Sequence, residues 1–138
     1  MLRILIVDDS RYQRHLIQSC LEGLGCCREA ADGLDGVDLF REALEQGEPF
    51  DLVVMDILMP RLDGHAALAR IRELDRRAGR PEMTKAIMLS SLDDPDNMFR
   101  AQFEAGAGAY LTKPFEPADM LEALRALDLA ENPLLEET

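Results

Sequence analysis

The sequence has no long hydrophobic run and no recognisable leader, and both absences narrow the range of functions. The longest apolar stretches, such as residues 52–55, are the size of a strand, whereas a membrane-spanning helix needs roughly 20 apolar residues. The N-terminus Met1-Leu2-Arg3 runs into a strand pattern without the charged, apolar and small-residue regions of a signal peptide. We therefore expect a cytoplasmic protein that does not associate with membranes.

Positive charge is also scarce. Against 27 acidic residues the chain has 15 basic ones, of which only Lys85 and Lys113 are lysines, and its formal net charge is −12. This balance argues against direct binding to nucleic acid. Residues 115–138 hold seven acids and one base, while residues 61–85 hold seven bases and four acids. We interpret both segments as solvated surface.

Metal-ligand cysteine spacing and internal repeats are absent as well. Cys20, Cys26 and Cys27 form an odd set that is typical of reduced, mostly structural thiols in the cytosol. A chain of 138 residues without repeats or low-complexity tracts fits one domain. We expect that domain to cover residues 1–129 and a short acidic tail to cover residues 130–138.

Short apolar runs alternate with segments of helical periodicity, a pattern that predicts an α/β domain with a parallel sheet. The predicted strands cover residues 2–7, 26–30, 52–55, 86–89 and 109–112. The first helix is expected to begin after Ser10 and to end at Gly25. Its apolar residues are predicted to share one face: Leu16, Ile17, Cys20, Leu21 and Leu24. The other helices are predicted at about residues 34–46, 64–78 and 94–106 and from Pro117 onward.

Polar residues follow the predicted strands where each of them ends. Asp8 and Asp9 follow the first strand, Asp56 the third, Ser90 the fourth and Lys113 the fifth. Because the carboxyl ends of parallel strands lie along one edge of a sheet, where ligands bind, we expect these side chains to converge.

The converging residues suggest a particular chemistry. Adjacent carboxylates call for a hard cation such as Mg²⁺, and a lysine beside them can hold a phosphate oxygen. A carboxylate can itself be the nucleophile and form an aspartyl-phosphate. The set therefore predicts phosphoryl transfer to an aspartate.

Over residues 2 to about 128 the sequence resembles the receiver domain of two-component response regulators. The resemblance lies in the segments ILIVDDS (4–10), VMDILMP (54–60), DG (63–64), MLSS (88–91), GA (106–107) and KPF (113–115), all in the order and spacing of that family. It implies a doubly wound (βα)5 fold with the flavodoxin-like strand order 2-1-3-4-5. It also implies a single-domain regulator similar to those of chemotaxis, or the N-terminal receiver of a longer regulator.

The resemblance assigns roles to the acidic residues. Asp56 matches the phosphoacceptor, which receives its phosphoryl group from a histidine of a sensor kinase or a phosphotransfer protein. Asp8 and Asp9 match the pair that holds Mg²⁺, together with Asp56 and the backbone carbonyl of Leu58.

The remaining motif residues match the family's switch. Lys113 corresponds to the lysine that contacts the phosphoryl group, and its bond to Pro114 to a cis peptide. Ser90 and Tyr110 correspond to the hydroxyl and the aromatic residue that move together on phosphorylation. This movement remodels the surface of the fourth helix, fifth strand and fifth helix, which a downstream protein reads. We expect that surface to include Met98, Phe99, Gln102 and Tyr110.

Other interpretations stay open at this point. Asp8 and Asp9 could equally be helix caps, and Tyr110 could be plain core or surface. The whole chain could be a degenerate receiver that binds partners without phosphorylation. A flavodoxin-like carrier or an aspartate-nucleophile phosphatase would need a different loop after the first strand. We expect a signalling switch with weak self-dephosphorylation, not a metabolic enzyme, and a monomer, with a phosphorylation-dependent dimer left open.

One departure from the family concerns Leu58 and Leu92. These residues stand two positions after Asp56 and Ser90, where side chains are thought to flank the water that attacks the phosphoryl group. Both are apolar here. We hypothesise that the phosphate lifetime differs from that of relatives with polar residues at these positions.

Overall fold

The computed structural model describes residues 1–91 and 108–130. Their five strands form one parallel sheet in the order β2-β1-β3-β4-β5. The strands are β1 (Leu2–Val7), β2 (Gly25–Ala30), β3 (Leu52–Asp56), β4 (Lys85–Ser91) and β5 (Ala109–Lys113). The helices are α1 (Arg11–Cys20), α2 (Gly33–Glu45), α3 (Gly64–Ala78) and, near the C-terminus, α4 (Pro117–Ala126). The label α4 therefore denotes the helix that the sequence predicts as the fifth. The predicted α/β class and strand order are confirmed.

The helices cover both faces of the sheet. On one face Val37 and Phe40 of α2 and Ile71 of α3 pack into a buried cluster, and on the other face Ile17 of α1 and Leu124 of α4 pack into a second one. All residues of β3 are buried, as is usual for the central strand of a sheet with helices on both sides. The doubly wound arrangement therefore follows from strands that are apolar on both faces.

The first helix is shorter than the sequence predicts. It ends at Cys20 because the chain turns at Gly23, whose φ is 83°. Gly25 already pairs with Leu2 as the first residue of β2, and a Cβ atom there would lie 2.4 Å from the Leu2 carbonyl oxygen. The expected inward position of Leu16 is wrong, since its side chain is 37% exposed. The other four residues predicted for this face do pack into the cluster on this side of the sheet: Ile17, Cys20, Leu21 and Leu24.

The fourth predicted helix, at about residues 94–106, and residues 131–138 of the expected tail lie outside the described residues. Among the residues that are described, no helix has the length and apolar character needed to cross a bilayer.

Candidate functional site

The carboxyl edge of the sheet brings Asp8, Asp56 and Lys113 into direct contact. The Lys113 Nζ atom lies 2.9 Å from Asp8 Oδ2 and 3.2 Å from Asp56 Oδ1. The first of these contacts joins residues 105 positions apart, and it forms because β1, β3 and β5 end at the same edge. The convergence that the strand pattern predicts is therefore present in the structure. The Lys113–Pro114 peptide is cis.

Asp9 completes a cluster of carboxylates at this edge. One oxygen atom from each of Asp8, Asp9 and Asp56 lies within 4.8 Å of the others. Asp8 is fully buried, Asp56 nearly so, and Asp9 is exposed. Oxygen donors with an excess of negative charge and one solvent-facing member suit a hard divalent cation that keeps some of its waters. These residues fit Mg²⁺.

Charge and burial perturb the ionisation of two groups here. Burial and, next, the neighbouring Asp8 charge raise the pKa of Asp56 to about 6, although Lys113 acts in the opposite direction. Burial alone would lower the pKa of Lys113, but the hydrogen bond to Asp8 and the charges of Asp56 and Asp8 outweigh it and raise this pKa overall. Lys113 is therefore an ammonium at neutral pH, and Asp56 is a more basic carboxylate than a solvated aspartate.

The β1–α1 connection shows why Asp8 faces the site. Ser10 is the N-cap of α1, and its Oγ atom accepts a hydrogen bond from the Gln13 amide. Asp8 Oδ1 accepts a hydrogen bond from the Ser10 amide at 2.9 Å, and its other oxygen meets Lys113. Because Ser10 takes the capping role, the interpretation of Asp8 and Asp9 as caps of this helix is wrong.

Arg14 also supports this loop, and the sequence analysis missed it. Its Nη1 atom donates to the Asp8 backbone carbonyl at 2.7 Å, while its Nε atom donates to Glu29 on β2 at 3.1 Å. The available signal was its position in α1, one turn after Ser10.

The Asp63-Gly64 pair positions the end of β3. The Asp63 side chain caps α3 by accepting from the Ala66 amide at 2.9 Å. The Gly64 amide donates to the Ile57 carbonyl at 2.7 Å, and a Cβ atom on Gly64 would lie 2.3 Å from the Asp56 carbonyl oxygen. Glycine is therefore required for the close approach of α3 to the strand that carries Asp56.

A small cleft of about 160 Å³ opens beside Asp56. The residues that line it are Asp56, Ile57, Leu58, Leu89, Ser90, Ser91 and Lys113. Ser90 is buried, and its hydroxyl donates to the Ser91 carbonyl at 3.2 Å. The Leu58 side chain is 55% exposed at the rim.

Tyr110 does not line this cleft. It is half-buried and packs against the buried hydrophobic cluster to which α2 and α3 contribute residues. Leu92, Met98, Phe99 and Gln102 lie outside the described residues.

A doubly wound α/β domain with an acidic, lysine-bearing site at its carboxyl edge defines the class of this protein, and sequence comparison supplies the family. The chain belongs to the response regulator receiver domain family, whose profile matches residues 4–125. As a receiver domain of the two-component type it is a signalling module and not a metabolic enzyme.

Named relatives occur both as separate proteins and as parts of kinases. The chemotaxis protein CheY of Halobacterium salinarum is 36% identical over 123 residues, which cover 88% of this chain and 92% of that protein. Probable histidine kinase 2 of Oryza sativa subsp. indica is 32% identical over 141 residues, which cover 95% of this chain and 13% of that protein.

Receiver domains of known structure are similar to this chain in their fold. The receiver domain of the histidine kinase CKI1 from Arabidopsis thaliana, complexed with Mg²⁺, has a TM-score of 0.78 and 29% identity over 91% of each chain. A Pseudomonas aeruginosa sensor histidine kinase receiver domain, with a magnesium ion in its active site cleft, has a TM-score of 0.74 and 26% identity. That match covers 92% of this chain and 98% of the other.

Proposed function

We propose that this chain is a phosphorylation-activated switch that accepts a phosphoryl group on Asp56. The donor is a phosphohistidine on a sensor histidine kinase or on a histidine phosphotransfer protein. The observation that carries the proposal is the contact of Lys113 Nζ with both Asp8 and Asp56, beside a cluster of three carboxylates. A buried aspartate with a purely structural role is expected to have its charge balanced by its neighbours, whereas this cluster holds more carboxylates than cations.

Asp56 supplies the nucleophile. A carboxylate oxygen of Asp56 forms a bond to phosphorus while the bond from phosphorus to the donor imidazole nitrogen breaks, and the imidazole leaves with that electron pair. A donor protonated on its other ring nitrogen departs as a neutral imidazole. Burial and the Asp8 charge raise the pKa of Asp56 in the metal-free protein, so the carboxylate needs a compensating positive charge to be fully ionised when it attacks.

Lys113 and Ser90 act on the transferred group. The Lys113 ammonium, 3.2 Å from Asp56 Oδ1, is placed to neutralise a phosphoryl oxygen. The Ser90 hydroxyl lines the same cleft and can exchange its bond to the Ser91 carbonyl for one to a phosphoryl oxygen. Both interactions strengthen as the phosphoryl group arrives, which is the condition for stabilising its transfer.

Asp8, Asp9, Asp56 and the Leu58 carbonyl would hold Mg²⁺. When bound, this ion supplies positive charge against the phosphoryl oxygens. The solved receiver domains described above with magnesium in their structures support this assignment.

Phosphorylation then shifts the population between two surface conformations. We assign the switch to Ser90 and Tyr110, and the output to a downstream protein that binds the surface around β5 and α4. The phosphorylated protein must favour the active state by a few kcal/mol. We further propose a monomer that does not bind nucleic acid directly and that slowly removes its own phosphoryl group.

An intact-mass experiment tests the proposal. The protein is incubated with acetyl phosphate with and without Mg²⁺, beside Asp56→Asn and, as a matched control, Asp38→Asn on the exposed face of α2. We expect a gain of about 80 Da, one phosphoryl group, that requires Mg²⁺, disappears in Asp56→Asn and persists in Asp38→Asn. An adduct that survives in Asp56→Asn would show that another residue is the nucleophile.

The alternative is a degenerate receiver that binds its partner without phosphorylation. The complete set of acidic, hydroxyl and lysine residues at the site argues against it. Absence of an adduct, together with partner binding that is unchanged in Asp56→Asn, would establish this alternative.

A further inference from the structure

The loop between β3 and α3 contains a strained turn. The Leu62 amide donates to the Pro60 carbonyl at 2.8 Å, which makes residues 60–62 a γ-turn, and the central Arg61 has a φ of 70°. This form of γ-turn is rare and strained, and a non-glycine residue at positive φ adds to that strain. Such a conformation persists only when the surrounding structure holds it.

The Arg61 side chain supplies part of that hold. Its Nη1 atom lies 2.7 Å from Asp32 Oδ2 and 3.9 Å from Asp35 Oδ1. Asp32 is buried at the N-terminus of α2, where its other oxygen, Oδ1, accepts from the Asp35 amide as the helix cap. One buried carboxylate therefore caps α2 and also binds the γ-turn.

Backbone packing joins the same two elements. A Cβ atom on Gly33, the first residue of α2, would lie 2.3 Å from the Leu62 carbonyl oxygen. The γ-turn therefore rests directly on the start of α2, and the Arg61–Asp32 ion pair closes over this contact.

Leu58 lies between Ile57, which backbone hydrogen bonds hold in place, and the γ-turn. The Ile57 amide donates to Leu89 of β4 at 3.0 Å, and the Ile57 carbonyl accepts from Gly64. The Leu58 side chain, in contrast, is exposed. The direction of the Leu58 carbonyl thus depends on how the chain from Ile57 to the γ-turn is held.

We propose that Arg61 is a positioning residue: its ion pair with Asp32 holds the γ-turn so that the Leu58 carbonyl faces the carboxylates, and this sets the affinity for Mg²⁺. The proposal rests on the proposed function, because that function assigns the Leu58 carbonyl to the metal. It predicts that breaking the pair weakens Mg²⁺ binding even though neither residue contacts the ion.

The variants separate this role from a general loss of stability. Arg61→Ala removes the ion pair, and Asp32→Asn removes the charge while keeping a side chain that caps helices well. Arg61→Lys retains a positive charge. The matched control is Arg41→Ala, since Arg41 makes a 2.9 Å ion pair with Asp38 on the exposed face of α2.

Mg²⁺ binding is measured by calorimetry without a phosphodonor. We expect Arg61→Ala and Asp32→Asn each to raise the dissociation constant about fivefold, the equivalent of an ion pair worth about 1 kcal/mol. The double variant should be no weaker than either single one, because both remove the same interaction. Arg61→Lys should recover part of the affinity, and Arg41→Ala should match the unmodified protein.

A second readout needs no metal at all. The Leu62 amide donates the hydrogen bond of the γ-turn, and its hydrogen exchange in the metal-free protein should be faster in Arg61→Ala and unchanged in Arg41→Ala. Unaltered Mg²⁺ affinity in Arg61→Ala would overturn the inference and leave the proposed function standing if the unmodified protein forms its adduct. A fivefold shift in a protein that forms no Asp56 adduct would support the positioning role and contradict the proposed function.

Discussion

Asp56 and Asp75 are both buried aspartates, but they lie at opposite edges of the sheet and in opposite electrostatic settings. Asp75, near the end of α3, has an oxygen 2.7 Å from Arg80 Nη1, and its other oxygen accepts from the Thr84 amide at 2.9 Å. Asp56 shares the Lys113 ammonium with Asp8 and lies beside a third carboxylate. The first aspartate is neutralised, whereas the second is surrounded by excess negative charge.

The neighbours of Asp75 extend this contrast. Thr84 Oγ1 accepts from Arg80 and donates to the Phe50 carbonyl, both at 2.8 Å, and Arg72 donates to the Thr84 carbonyl. The network joins the end of α3 to the residues that precede β3 and β4. Its polar groups satisfy one another, so it serves the fold. The carboxyl edge keeps its charges unbalanced, and this imbalance is what a cation or a phosphoryl group can use.

The largest expected effect is the loss of the neutralised aspartate. Asp75→Ala removes the buried carboxylate that pairs with the half-buried Arg80, so we expect the free energy of unfolding to fall by about 3 kcal/mol in a urea titration. The control is Asp38→Ala, whose exposed ion pair with Arg41 should contribute less than about 1 kcal/mol. If the two variants lose the same stability, the network around Asp75 does not support the fold as described.

Removal of the Asp56 charge, in contrast, should raise the free energy of unfolding of the metal-free protein. The pKa of Asp56 is about 6 in the folded protein and near 3.8 in the unfolded chain. Between these values the unfolded chain releases a proton that the folded protein retains, so stability falls as the pH rises from about 4 to about 6 and stays lower above that.

Asp56→Asn cannot ionise and escapes this loss. In EDTA at pH 8 we expect it to be about 2 kcal/mol more stable than the unmodified protein, less than the full shift would give because the site is partly solvated. The difference should disappear near pH 4. A destabilised Asp56→Asn at pH 8 would mean that the folded protein favours the charged carboxylate after all.

The same comparison shows how far sequence reasoning reaches. The carboxyl-edge residues could be predicted because strand ends are visible as apolar runs, and a charged residue directly after a buried run, such as Asp56, has few structural explanations. The strand order followed from the family resemblance. Asp75, in contrast, lies four residues after Ile71 and seven after Leu68, so helical periodicity places it on the buried face of α3. The sequence does not show the Arg80 and Thr84 partners that allow an aspartate to be buried there.

Contacts made by long side chains were equally hidden. The Arg14, Arg61 and Arg80 side chains each reach a residue on another element or loop. Periodicity reports which face of a helix is apolar, but it does not report where a flexible guanidinium ends. The early end of α1 at Cys20 was missed for a related reason, because Gly23 and Gly25 are both plausible stops and only strand pairing separates them.

Mg²⁺ should stabilise the folded protein by binding at the carboxyl edge, where the carboxylates carry excess negative charge. Bound Mg²⁺ would balance part of that charge, so the electrostatic setting of Asp56 would become more like that of Asp75. For a dissociation constant of ~1 mM, addition of 10 mM Mg²⁺ contributes about 1.4 kcal/mol. The gain should be larger at pH 8 than at pH 5, because protonation of Asp56 competes with the metal. Thermal unfolding at matched ionic strength measures it, and Asp56→Asn should show a smaller gain. Equal stabilisation of both proteins by Mg²⁺ would place the ion elsewhere.

The smallest expected effect concerns the apolar rim of the same edge. The Leu58 side chain is exposed beside the cleft and, being apolar, cannot form a hydrogen bond with a water molecule near Asp56. Leu92 is likewise apolar in the sequence. A Leu58→Asn/Leu92→Glu double variant would supply groups that orient an attacking water. We expect its aspartyl-phosphate to hydrolyse about threefold faster or more, which is a change of about 0.7 kcal/mol in the barrier. Phosphate release after removal of the phosphodonor measures this rate, and Asp38→Asn serves as the control. An unchanged rate would show that the carboxyl edge controls phosphate lifetime through the charged groups around Asp56 alone, without a contribution from its rim.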